Sequence, residues 1–208
     1  MLKRTYGRLL LTLLVATGLA GKVNDTSLSK SERKFLLTQY KETRAALLSK
    51  TKDLSTAQLK FRTAPDKWSV EECIYHITLA ETGLWELLEA SLKNPANPEA
   101  RKQIKVTDAD LLKGVQDRGT SYQAPETFLP GKAPWKNAQE ALAAFKEIRN
   151  RHIKYARTTT EDLRNKIVQL PYGQVDAYQM MLFIAGHSNR HLQQITQIME
   201  SPQFPSAK

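Results

Sequence analysis

The 208-residue chain has a single cysteine, Cys73, and four histidines. One thiol excludes an intramolecular disulfide framework and every multi-cysteine zinc module. Nine prolines and nine glycines are too few for a low-complexity chain, and 41% hydrophobic with 25% charged side chains is not the composition of a disordered one. The longest apolar run, Leu9–Ala20, is shorter than the roughly 20 residues that span a bilayer. The net charge of +10 is scattered: Lys and Arg alternate with Glu along residues 30–52, and Arg149, Arg151, Lys154 and Arg157 stud a later helix as a solvated face. Without a contiguous basic stripe or interleaved aromatics, nucleic acid is not an expected partner.

What is present begins at the N-terminus. Lys3, Arg4 and Arg8 precede an apolar centre from Leu9 to Ala16, and Gly18-Leu19-Ala20 closes it with small residues. This is the three-part build of a secretory signal peptide, with cleavage expected after Ala20. Residues 1–20 hold three cations and no acid, so the mature chain keeps +7. No cysteine near the cut provides a lipid anchor, so a periplasmic or secreted protein with no stable membrane anchor is expected. A lone thiol has no partner with which to mispair in an oxidising compartment.

The remainder reads as all-α: a signal peptide (1–20), a flexible mature N-terminus (21–28), a four-helix-bundle domain (29–200) and a tail (201–208). The first helix covers about Ser29–Lys52, with Leu36, Leu37, Tyr40, Leu47 and Leu48 on one side. In the next segment, Leu59–Lys67, Pro65 stops any helix before the turn Asp66-Lys67-Trp68. Ser69 and Glu72 form a capping box for the second long helix, whose stripe runs Cys73, Ile77, Ala80, Leu84, Leu87 and Leu88. Residues 95–135 are irregular apart from a short helix capped by Thr107, long enough for a crossover. Asn137 and Glu140 open the third long helix, and Asp176 with Gln179 caps the fourth. Between them lie a helical turn near Glu161–Asn165 and a loop at Pro171-Tyr172-Gly173. Almost nothing reads as strand. Four amphipathic helices with one long connection make a four-helix bundle.

The histidines carry the chemistry. His187 and His191 stand at i and i+4 on the apolar face of the last helix, between Ile184 and Ile195. Two imidazoles at this spacing can share one metal, but Ser188 stands where a zincin has its glutamate. His76, at the edge of the second helix's stripe, is the candidate third ligand, and three protein ligands leave positions open for water or substrate. A hydrogen-bonded core role is the competing reading of any inward histidine, and it is the one expected for His152. Cys73 is a candidate fourth ligand, though buried cysteines more often act as small hydrophobes. Glu81 is a candidate orienting group or base, more simply a solvated helix glutamate. Arg190 lies off the metal face, where it pairs with a carboxylate or meets an anionic substrate. The Tyr172 hydroxyl is placed to reach the mouth of the site.

These residues resemble the DinB-like (DinB/YfiT) superfamily of four-helix-bundle metalloproteins. The similarity is carried by Trp68-Ser69-Val70 leading into His76, and by His187-x-x-Arg190-His191-x-x-Gln194-Ile195 on the last helix. It implies an up-down-down-up bundle holding a divalent metal, nickel or zinc, on His76, His187 and His191. It also implies the chemistry of transferases and isomerases that use low-molecular-weight thiols. An open-coordinated divalent ion can equally activate water, so a metal-dependent hydrolase or a thiol-type transferase acting on a small-molecule substrate is expected. The export signal is a departure that weighs against cytosolic thiol cofactors. The alternative is a non-catalytic module whose metal fastens two helices, and dimerisation through a bundle face is compatible with either. Protein recovered from the cell envelope should begin near Gly21 on N-terminal sequencing; cytosolic protein retaining Met1 would contradict export.

Overall fold

The computed structural model describes residues 27–120, 122–171 and 173–206. The expected signal peptide, most of the mature N-terminus and Tyr172 lie outside the described residues. The four long helices are α1 (Lys30–Thr51), α3 (Val70–Leu92), α6 (Ala138–Thr158) and α7 (Ala177–Met199), joined through α2 (Thr56–Lys60), α4 (Pro98–Gln103) and α5 (Asp108–Gln116). Two 3-10 turns, Glu126–Phe128 and Pro130–Lys132, precede α6. The starts fall where the sequence places them. Ser29, Ser69 and Asp176 each accept from the backbone N–H three residues on, while the Glu or Gln at that position reaches back to the cap. Asn137 caps α6 through the Glu140 N–H. Among the described residues, no helix is long and apolar enough to cross a membrane.

Side-chain contacts fix the helix directions. Arg33 at the start of α1 donates to the Ala156 and Thr159 carbonyls at the end of α6, and Arg44 further along α1 meets Asn150, so these two helices are antiparallel. Thr78 meets the Ala141 carbonyl, and Glu81, one turn later on α3, meets Arg149 and His152. The pair α3 and α6 is therefore parallel. One apolar cluster joins Leu36 and Tyr40 of α1 and Leu88 of α3 to Met180 and Met181 of α7. A second joins Leu47, Val70 and Cys73 to Ile195 and Ile198. Hence α7 runs with α1 and against α3. The order is up-down-down-up, as the resemblance implies.

A parallel pair cannot be joined by a tight turn, and residues 93–137 make the crossover. Its helix α5 packs along the outer face of α7, which is why α7 is buried well beyond the single inner stripe read from its sequence. The approach is close at Gly186, where an added Cβ would lie 2.9 Å from Leu112 Cδ1. Arg164 pins the crossover: its guanidinium meets Asp108 of α5 at 2.6 Å, Glu32 of α1 at 2.6 Å and the α7 cap Asp176 at 3.0 Å. Such bidentate, partly buried networks hold geometry better than lone surface pairs.

Three expectations are corrected. The stretch read without strands before the last helix holds an antiparallel hairpin, β1 (Ile167–Leu170) with β2 (Gly173–Asp176), in the register Val168 to Val175, and Gly173, read as part of a loop, opens β2. Val168, Leu170 and Val175 point inward, and Gly173 adopts φ 135°, a value that only glycine reaches without strain. Arg149, read as part of a solvated face, has no exposed surface, and Glu81, read as a solvated glutamate, is 2% exposed. They form a buried pair. The guanidinium donates to both Glu81 oxygens, to Thr43 Oγ1 at 2.7 Å and to Ser188 Oγ at 2.8 Å, while His152 Nδ1 lies 3.1 Å from Glu81. This polar layer separates the two apolar clusters. Burial alone would raise the Glu81 pKa, but Arg149 and His152 outweigh it and hold the carboxyl down at about 2.

Removing one partner of a buried pair leaves an uncompensated charge. Arg149→Met should lower the unfolding free energy by about 3–5 kcal/mol in urea denaturation. A loss no greater than the roughly 1 kcal/mol of a surface pair would show that the layer is not a structural tie.

Candidate metal centre

The inward faces of α3 and α7 meet where both helices carry histidine. Antiparallel packing sets His76 of α3 against His187 and His191 of α7, with one potential ligand atom from each ring lying within 4.8 Å of the others. The Nε2 atoms of His76 and His187 are 3.1 Å apart. Around a tetrahedral zinc with bonds of about 2.0–2.1 Å, donor atoms stand roughly 3.3–3.4 Å apart, so this pair is already at ligand spacing. His76 and His191 are buried and His187 is half-buried.

Two of the rings are oriented from behind. His76 Nδ1 lies 2.7 Å from the Phe128 carbonyl, which can only accept, so Nδ1 carries the proton and Nε2 presents a lone pair. His191 Nδ1 is 2.9 Å from Gln194 Oε1. The same amide oxygen accepts from Arg118 Nη1 at 3.4 Å, which fixes the amide orientation and hence protonates His191 on Nδ1. Such partners select the tautomer that leaves Nε2 for a metal. Trp68 closes one side, its ring centroid 4.8 Å from that of His76 and 6.0 Å from that of His191.

Electrostatics favour the neutral, ligating form. Burial pushes the His187 pKa down to about 3, with the neighbouring His76 ring adding to the shift. Burial, then His187 and His76, drive His191 well below its ordinary value, and burial lowers His76. All three rings are therefore neutral at neutral pH, the charge state in which imidazole ligates a metal.

The other sequence candidates fall outside the triad. Cys73 is fully buried among apolar side chains of the second cluster, and burial pushes its thiol up to about 12. A thiol so raised is a core residue. His152 stacks on Trp85 at 3.8 Å and is paired with Glu81, a satisfied core histidine as expected. Both Glu81 oxygens are engaged, which removes it as a free base. Arg190 pairs with no carboxylate among the described residues and donates to the Thr120 carbonyl instead. Sequence reading missed the Phe128 carbonyl, a backbone group 52 positions from its histidine. It also missed Arg118, the first residue beyond the end of α5 and its cap. A tight fit locates Phe128: a Cβ on Gly83 would stand 2.4 Å from its ring.

An up-down-down-up bundle with an internal triad of imidazoles able to hold a divalent metal is the class of protein that fold and site define. The chain belongs to the DinB superfamily, whose sequence pattern matches residues 39–195. It is similar to YfiT from Bacillus subtilis, described as a probable metal-dependent hydrolase with an unusual four-helix bundle topology. The two share 16% identity with a TM-score of 0.56, covering 83% of this chain and 89% of that one. At that identity the likeness concerns the fold. No curated protein matches the chain.

The lowered histidines make stability depend on pH. Unfolded imidazoles titrate near 6.5, and below that the unfolded chain binds more protons than the folded one. Stability is therefore full above about pH 6.5 and is lost as pH falls toward the folded value, about 3 for His187. Chelated protein should melt several degrees lower at pH 5 than at pH 7.5, roughly 4–8 °C for each 1 kcal/mol lost in a small domain and less in a larger one. An unchanged melting temperature would contradict buried neutral rings.

Proposed function

We propose that this chain is an exported metal-dependent hydrolase in which His76, His187 and His191 hold one divalent ion, zinc or nickel, acting on a small-molecule substrate. The observation that carries the reading is the convergence of three potential ligand atoms within 4.8 Å, two of them on rings already turned by hydrogen bonds. The donor set fits the ion: neutral imidazole suits zinc and nickel, and three protein ligands leave coordination open. The chemistry such an ion supplies when bound is Lewis-acid activation of water or of a carbonyl. The protein's own part is to keep the rings neutral, fix the tautomers of His76 and His191 and restrict water with Trp68. The description of YfiT as a probable metal-dependent hydrolase supports this branch over thiol transfer.

Purified protein should contain about one metal per chain by elemental analysis, given a single three-ligand site. Alanine at His76, His187 or His191 should abolish it, and His152→Ala should keep it. Hydrolysis of an ester and amide panel should vanish on chelation and return with zinc or nickel. Metal retained by His76→Ala and lost by His152→Ala would overturn the assignment. The helical circular dichroism should survive chelation, because two apolar clusters fill the bundle without the ion. With free metal at a hundred times its dissociation constant, linkage adds about 2.7 kcal/mol. Collapse on chelation would make the metal a structural staple instead.

A further inference from the structure

Two arginines stand beside the triad with no carboxylate partner and with a buried guanidinium nitrogen that has no hydrogen-bond partner, among the described residues. Arg149, Arg164 and Arg101 each meet a carboxylate. Arg190, which immediately precedes His191 and is 8% exposed, meets none among the described residues. Its Nη2 donates to the Thr120 carbonyl, and its Nη1 is buried with no hydrogen-bond partner. Arg118 reaches across from the end of α5 and makes only long contacts, 3.4 Å to Gln194 Oε1 and 3.3 Å to Gln197 Oε1, and its Nε is likewise buried without a partner. Burying a guanidinium against neutral acceptors alone is costly, and here two of them lie close enough to interact. Burial and then the Arg190 charge both push the Arg118 pKa down.

The pair is tied to the histidines by one side chain. Gln194 accepts from Arg118 and from His191 with the same oxygen. The Arg190 guanidinium is also held 5.5 Å from the ring of Tyr122, a residue at the exposed lip of the crossover. Two planar forks with donors to spare, beside a potential cation site and near solvent, are complementary to an oxyanion.

We propose that Arg118 and Arg190 form an anion subsite adjoining the three-histidine centre, which selects substrates carrying a carboxylate or phosphate group. As a substrate subsite this rests on the metal-centre reading; as an anion site it stands on the two unpartnered guanidinium groups. The bound oxyanion accepts from the two guanidinium groups, which carry donors without partners at Arg190 Nη1 and Arg118 Nε.

The test is calorimetric titration of the full-length protein, zinc-loaded and chelated, with inorganic phosphate, acetate and neutral acetamide. Phosphate or acetate should bind both forms at one site and acetamide neither. Binding of phosphate alone assigns a phosphoryl substrate, of acetate alone a carboxylate. Arg118→Gln and Arg190→Gln should each weaken anion binding to the chelated protein about tenfold or more, the worth of one or two charge-assisted hydrogen bonds. Should the buried Arg190→Gln fail to fold, the part-exposed Arg118→Gln decides. Anion affinity unaltered by Arg118→Gln, or no anion binding to chelated protein, overturns the subsite. Anion binding to protein that takes up no zinc would instead overturn the metal centre and leave the subsite standing.

Discussion

The parallel pairing of α3 with α6 is the constraint on which the site depends. Two parallel helices cannot be joined by a turn of a few residues, so the chain must travel back along the bundle between them. That journey lays α5 over α7 and brings Arg118, Thr120 and Phe128 beside the histidines of α3 and α7. The Phe128 carbonyl that orients His76, the Arg118 side chain that fixes the Gln194 amide, and the Thr120 carbonyl that holds Arg190 all come from this one connection. An up-down-up-down bundle with short loops could place three histidines on facing helices, but it would have no such segment with which to orient them.

The second organising element is the polar layer of Glu81, Arg149, His152, Thr43 and Ser188. It sits one turn along α3 from His76, and on α7 Ser188 directly follows His187. A buried ion pair contributes little net stability compared with apolar packing of the same volume. Its geometric demand is stronger, because every donor must find its acceptor or remain unpaired in a dry interior. Sliding α7 by a turn against α3 would break the Ser188 and Glu81 contact and separate the histidines together. The layer therefore sets the register in which the three rings converge.

Most of this was legible in the sequence. Capping boxes at Ser29, Ser69 and Asp176 and the Asn137 cap mark the long helices, and the i, i+4 histidines with His76 mark the site. What escaped has a common physical cause. Arg149 and Glu81 look like solvated residues because either one alone would be, and only the parallel packing of their helices makes them partners. The hairpin was hidden because its strands have four residues each, too few for a period of two to stand out from a loop. The Phe128 carbonyl carries no side-chain signature at all. Helix geometry sets Arg190 off the metal face, but Arg118 lies 72 positions earlier and becomes its neighbour only through the crossover.

The claim that a divalent ion sits on His76, His187 and His191 is tested most directly by anomalous diffraction at the zinc or nickel edge from crystals grown with the ion. The account predicts a single strong peak about 2.0–2.1 Å from one nitrogen of each of the three rings, with coordination left open on the solvent side. A peak on other residues, or a fully loaded crystal with no density among the three imidazoles, would contradict it.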